Sequence, residues 1–488
     1  MAGERGGAKL GLTLQEIGVL LHSQHVVLPE TDGSFSVSEA VIEVVGHSIA
    51  SVHRGPPEST EHVVDLKDKL VAPAFVNAHT HLALSSLRGL GGERAYRGNV
   101  VEELYFRVEA HMTAEDVRAF VRVAATECLL GGTAVVWDHY YHTESVVAGI
   151  LDAGLSAVMA PTLQDLNGPG IAKLEEQIAA SVELATDSTM SDRGIVAAMG
   201  PHATDTVSDS LWLRVADIAE EHNLPVHAHV AQSVEEFDRS MEVHGETPLA
   251  RLRRLGLFNG RHNFLMVHGL YVNREDLCYL TPGKHLLGYC PYSQLQFAFP
   301  AQIEAWRQAG VDIVLGTDAG CCNDTMNVQQ ELRSLASGNA FAVSASIPYL
   351  SFLDSPTREH AHAVRAHRQE SYERSAPRST PNNLLPAVWN LAGELHPDLT
   401  TGSIKAGARA NLLVVDLSHP SVWPATDPLR SLTLSETAPA IYGMIVNGQW
   451  RGTPGNFHQS LLEATNYRYA VREANERLGA LLKRSGLR

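Results

Sequence analysis

No apolar run in this 488-residue sequence reaches 18 uninterrupted residues. A membrane-spanning helix is therefore not expected. Cysteine is scarce: Cys128, Cys278, Cys290, Cys321 and Cys322 are all there are. The number is odd and no pair has zinc-ribbon spacing, so the expected compartment is reducing and cytoplasmic, without a disulfide framework. The adjacent Cys321 and Cys322 read as small residues of a buried loop. Long basic tracts are missing too, with Arg251, Arg253 and Arg254 forming only a small cluster, and the formal net charge is -17. That balance disfavours nucleic acid and anionic membrane as partners. No secretory signal is expected, because His22, Ser23, Gln24 and His25 interrupt the apolar stretch 17–28 and no small-residue cleavage site follows. Internal repeats and low-complexity tracts are absent.

What is present is a globular composition, 44 % hydrophobic and 19 % charged, in a chain long enough for more than one domain. Residues 16–72 read as short strands joined by turns, a small all-β unit. From residue 71 the pattern changes. Short apolar runs at 71–77, 133–137, 156–161, 195–199, 224–230, 264–267, 286–289 and 312–316 alternate with amphipathic segments. Near-continuous apolar runs suit strands buried on both faces, as in a parallel sheet. Thr113 to Asp116 has the form of a capping box opening a helix that Gly131 and Gly132 close. Further helices are expected over 208–223, 301–309 (closed by Gly310) and 324–337 (closed by Gly338). Eight strand–helix units over roughly 270 residues predict an α/β fold, a (β/α)8 TIM barrel.

Residues 339–385 break the rhythm with four prolines. A stretch crowded with Arg358, His360, His362, Arg365, His367 and Arg368 reads as a solvated helix, or else as a lid over the barrel mouth. The β-rich segments 402–416 and 440–448 can join residues 16–72 in one small composite β-sandwich built from both chain ends. The expected division is 1–72 and 386–455 for that unit, 73–385 for the barrel, and 456–488 for a polar C-terminal helix.

Active sites of such barrels lie at the C-terminal ends of the strands. His79 and His81 stand there on the first strand, two residues apart and so on one face. Asp138 and His139 end the second, His202 the fourth and His268 the sixth. His227 and His229 lie on the fifth, and Asp318 ends the eighth. One such histidine means little, but this many at one mouth point to a divalent metal held by imidazoles and a carboxylate. A ligand set with an open position acidifies a bound water, and Asp318 can take its proton.

The stretches 73–81, 200–203, 226–236, 267–269, 315–318 and 402–416 resemble the amidohydrolase superfamily, in particular its cytosine-deaminase-like and triazine-hydrolase-like members. The resemblance covers about residues 16–450, with the motifs in the family's order. It implies one metal, zinc ahead of iron, on His79, His81, His229 and Asp318, with His227 left as a barrel-interior residue. It implies that His268 contacts the metal-bound hydroxide and that His202 faces the substrate. Gln232 departs from the family, whose deaminases carry a proton-transferring Glu at this place. Gln keeps the shape and can hydrogen-bond a ring nitrogen, but it cannot carry the proton. Either the leaving group needs little protonation, or Glu235, Glu236, His202 or His268 serves as the acid, or activity on ordinary nucleobases is lost. Asn411, where Asp is usual, is expected to be structural. Arg88 and Trp137 are candidates for shaping the substrate pocket.

The function expected is that of a hydrolase that deaminates an amino-substituted nitrogen heterocycle, a small-molecule substrate, in a homo-oligomer. The alternatives are expulsion of a halide or substituted amine from a triazine-like ring, opening of a cyclic amide, and a non-catalytic binding protein on the same scaffold.

Overall fold

A computed structural model describes residues 18–90, 100–299, 303–337 and 343–487. The expectations placed on residues 1–17, on Ala301 and on Gly338 lie outside these described residues. Strands β1 (Val19–Pro29), β2 (Phe35–Val45), β3 (Ser48–Arg54), β4 (Val63–Asp65) and β5 (Leu70–Pro73) come first. They form one mixed sheet with strands from the far end of the chain, given below.

The expected first barrel strand, 71–77, is two strands. Pro73 ends β5, and the Ala74 N–H turns to the Asn411 carbonyl at 3.0 Å. β6 (Phe75–Thr80) then starts the parallel part of the molecule. β6, β7 (Thr133–Tyr140), β8 (Ser156–Leu163), β9 (Ile195–Ala197) and β10 (Gly200–Pro201) make one parallel sheet. β11 (Val226–Val230), β12 (Phe264–His268), β13 (His285–Tyr289) and β14 (Asp312–Leu315) make a second. Every residue of β6, β7, β8, β11, β12 and β13 is buried, as strands covered on both faces require. Parallel bridges cross between the two sheets at both ends, Met199 with Val226 and Ala203 with His229 on one side, Thr80 with Asp318 on the other.

β15 (Leu412–Val415), β16 (Ile441–Val446) and β17 (Gln449–Arg451) complete the terminal sheet, whose order is β17-β16-β15-β5-β1-β2-β3 with β4 beside β1. Buried Asn411 is structural there: its Oδ1 accepts the Asn447 N–H at 2.7 Å and its Nδ2 donates to Thr401 Oγ1 at 3.0 Å.

The capping box at Thr113 and Asp116 forms, and the Ala114–Leu130 helix runs to Gly131. The helix expected over 208–223 spans Asp209–His222. The one expected over 324–337 begins only at Val328, because Asp324 takes a left-handed conformation (φ 61°) that ends a short turn at Gly320–Asn323. The C-terminal Thr465–Arg484 helix packs on Ala114–Leu130: Arg484 and Arg477 reach buried Asp116, and Arg122 meets Glu473 at 3.2 Å. The Arg358–Ser375 helix shows no buried side chain among its described residues, which suits the solvated helix, and no described residue from 343–385 lines the cavity below.

Candidate metal centre and substrate cavity

The ends of the parallel strands bring seven imidazoles together. Rings of His79, His81, His139, His202, His227, His229 and His268 approach one another with centroids 4.7–6.0 Å apart. Burial is the first cause holding most of them neutral, and their mutual repulsion is the second. His79, His139 and His229 are pushed well below the ordinary value, and His202 and His227 to about 3. Neutral imidazole is the form that binds metals.

Hydrogen bonds fix which nitrogen of each ring is free. His81 Nδ1 faces the His139 carbonyl at 2.6 Å, and His229 Nδ1 faces the His202 carbonyl at 2.7 Å. A carbonyl only accepts, so both Nδ1 atoms carry the proton, and in the neutral rings, the form that binds a metal, both Nε2 atoms present lone pairs. Those Nε2 atoms stand 3.2 Å apart. Two lone pairs repel at that distance unless a cation lies between them. His79 Nδ1 meets His227 Nε2 at 2.8 Å, which leaves His79 Nε2 buried and without a partner. Asp318 Oδ1 stands 3.8 Å from His79 Nε2 and 3.7 Å from His81 Nε2. An orphaned nitrogen, two opposed lone pairs and a carboxylate fit a divalent metal. Among the described residues two further groupings lie within metal reach, His268 with His79 and His229, and His268 with Cys290 and Asp318.

Two of these residues hold backbones that side chains seldom adopt, His268 at φ 74° and Asp318 at φ 63°. Such strain gathers at functional sites. Asp318 is fixed by its N–H to the His79 carbonyl at 3.0 Å and by Ser293 Oγ, which donates to its Oδ2 at 2.9 Å. The neighbouring Gln294 pairs with His268 Nδ1 at 3.1 Å.

Above the cluster lies a cavity of about 390 Å³. His81, His139, His202, His229, Gln232, His268 and Asp318 line it, with Tyr105, Phe106, Phe297 and Phe299 among its apolar walls. Arg88 and Trp137 do not. Arg88 pairs with Glu127 at 2.6 Å, and Trp137 is a fully buried core residue against His227. His227 is more than interior filling, because it orients His79. Of the acids considered for the place of Gln232, Glu235 faces the cavity but Glu236 does not. Sequence reasoning missed Glu109, which lines the cavity from a short helix at Phe106–Glu109; burial pushes its carboxyl up to about 8 against the pull of Tyr140. It belongs to no strand end and no spacing pattern, so only a raised carboxyl inside a cavity reveals it.

The amidohydrolase family model matches residues 70–368. The chain belongs to the amidohydrolase family. Among curated members, a 5-methylthioadenosine/S-adenosylhomocysteine deaminase of Thermococcus kodakarensis is 26 % identical over 434 residues, covering 89 % of this chain and 93 % of that protein. A 5'-deoxyadenosine deaminase of Methanothrix thermoacetophila is 27 % identical over 414 residues, 84 % of this chain and 88 % of that one. In structure, the chain is similar to an adenosine deaminase from Xanthomonas campestris with bound zinc, with a TM-score of 0.77 at 22 % identity over 96 % of this chain and 99 % of that one. It is also similar to a zinc complex of an atrazine chlorohydrolase from Arthrobacter aurescens, with a TM-score of 0.74 at 16 % identity over 94 % of this chain and 100 % of that one. Among the described residues of this amidohydrolase, no helix is long and apolar enough to cross a membrane.

Two outcomes are expected. A Cβ at Gly316 would lie 2.6 Å from His79 Cβ and 2.8 Å from its backbone nitrogen. Gly316→Ala should therefore displace His79 and, if His79 holds the metal, lower bound metal at least about tenfold; elemental analysis checks it, and wild-type metal content would contradict it. The second concerns pH. His202 and His227 are near pKa 3 when folded but protonate near 6.5 when unfolded. Their contribution is complete above pH 6.5 and is lost as pH falls from there toward 3. The Tm of metal-free protein should fall between about pH 7 and about pH 5, and His202→Gln should lessen the fall; equal slopes for both proteins would contradict this.

Proposed function

We propose that the chain is a metal-dependent aminohydrolase that removes an amino group from a nitrogen heterocycle. The observation that carries this reading is the convergence of His79 Nε2, His81 Nε2, His229 Nε2 and Asp318 beneath a cavity lined by Gln232, His202 and His268. These four are read as the ligands of one divalent metal, zinc ahead of iron. When bound, it supplies a water acidified toward neutrality. Asp318, steadied by Ser293, accepts the proton of the attacking water on its carboxylate and passes it to the departing amino group, which leaves as ammonia while the remaining hydroxyl proton ends on the ring nitrogen. His268, held by Gln294, orients that water and stabilises charge developing on the ring. His202 and the Gln232 amide bond heteroatoms of the substrate. The aromatic walls exclude bulk water. The deaminases named among the relatives agree with an aminated purine-like ring as substrate.

The two parallel sheets are read as one (β/α)8 barrel closed through the bridges at Met199, Ala203 and Thr80. The terminal sheet is read as the core of a composite β-sandwich, with domain bounds near residues 72, 385 and 455. Five free cysteines suit a reducing cytoplasm.

Gln232 favours a second reading, in which the leaving group is a halide or substituted amine that needs less help from an acid. One panel separates the two. Zinc-loaded protein is assayed for ammonia release from aminated purines, pterins and pyrimidines, with 5-methylthioadenosine and 5'-deoxyadenosine included, and for halide or alkylamine release from substituted triazines. Ammonia release from at least one amino compound is expected. Release from none would overturn the proposal, and halide release alone would establish the second reading.

A further inference from the structure

One buried carboxylate beside the cavity has no part in the chemistry above. Glu236 sits in the first turn of the Val234–His244 helix and is 1 % exposed. Its Oε1 accepts the Ala231 N–H at 3.0 Å and the Thr204 hydroxyl, and its Oε2 accepts the Gln232 N–H at 2.7 Å. Three donors engage both oxygens, and the carboxyl does not face the cavity. It is therefore no proton carrier to substrate.

Its partners have something in common. Ala231 takes φ 52°, a conformation that a residue with a Cβ seldom adopts, and this bend is what sends the chain from β11 to Gln232. Thr204 lies two residues beyond His202, on the neighbouring strand-end loop. The His202 carbonyl in turn receives both the N–H and the Nδ1–H of His229. One carboxylate thus grips the two loops that carry His202 and Gln232. A buried carboxylate is costly there, and Asp205 beside it adds repulsion; together, burial first, they push Glu236 up to about 7. Arg239 of the same helix offsets part of this, reaching Asp205 at 3.6 Å and Glu102 at 3.9 Å.

We propose that Glu236 is a positioning residue that clamps the Ala231–Gln232 turn to the Thr204 loop and so sets the spacing of the two substrate-facing side chains, Gln232 and His202. This rests on reading those two as substrate contacts. The clamp acts on binding geometry: without it the Gln232 amide wanders and substrate binding weakens more than turnover. Glu236→Gln keeps the shape but sets an amide N–H₂ against one of the three donors.

The test compares wild type, Glu236→Gln, Gln232→Ala and the double variant, full-length and zinc-loaded, on the best aminated substrate of the panel. Each single variant should raise KM about tenfold with a smaller change in kcat, and the double variant should fall well short of the product of the two losses, because the part of the clamp's effect carried by Gln232 is already gone. Equal losses from Glu236→Gln in both backgrounds would overturn the clamp. So would a loss confined to kcat with a shifted pH profile, which would make Glu236 an acid. Thr204→Val removes one donor without touching the carboxylate and should raise KM in the same direction; an unchanged KM counts against the proposal. Should wild type turn over nothing, the functional reading fails by itself, and hydrogen exchange still reads the clamp. Faster exchange at Ala231 and Gln232 in Glu236→Gln supports it, and unchanged exchange overturns it.

Discussion

Each of the three imidazoles proposed as metal ligands has one nitrogen already committed. The Nδ1 atoms of His81 and His229 donate to backbone carbonyls, and that of His79 meets His227. Only the Nε2 atoms remain, and the strands aim them at one another and at Asp318. Protein groups alone leave this arrangement repulsive, with lone pairs opposed and one nitrogen orphaned. A cation resolves both at once. Burial serves the same end at His79 and His229, because it keeps those two rings neutral at pH values where exposed histidines begin to protonate.

The fold and the site share the same hydrogen bonds. The residues proposed to hold the metal also stand where the two parallel sheets meet. Asp318 donates to the His79 carbonyl on one side, and His229 donates to the His202 carbonyl on the other. Moving a ligand therefore means opening a seam. Gly316 shows how little slack there is, since even one added carbon would strike His79. One layer outward, Gln232, His202, Glu109 and the aromatic walls line the cavity. That layer rests on loops and short helices, among them the turn that Glu236 holds.

Much of the inner layer was legible in the sequence. Two histidines on one strand face and a carboxylate after the last apolar run follow from strand periodicity and the polarity of parallel barrels. The capping box at Thr113 was legible because its signal is local. What periodicity cannot carry was missed. The break at Ala74 divides a continuous apolar run, and only the pairing partners of β5 and β6 reveal it. Asp324 ends a turn where a continuous helix was expected. Arg88 and Trp137 stand near the site in sequence but point to Glu127 and into the core. Glu109 reaches the cavity from outside the strands, and Glu236 shows its role only through three bonds to residues up to 32 positions away.

The local structure around bound zinc tests the proposed ligand set most directly. X-ray absorption fine structure at the zinc edge should show nitrogen and oxygen neighbours at about 2.0–2.1 Å, imidazole scattering and no sulfur. Replacing His229 should reduce the imidazole signal. A sulfur neighbour at about 2.3 Å would contradict the account, because it would place the metal on the side of Cys290, which stands within reach of His268 and Asp318.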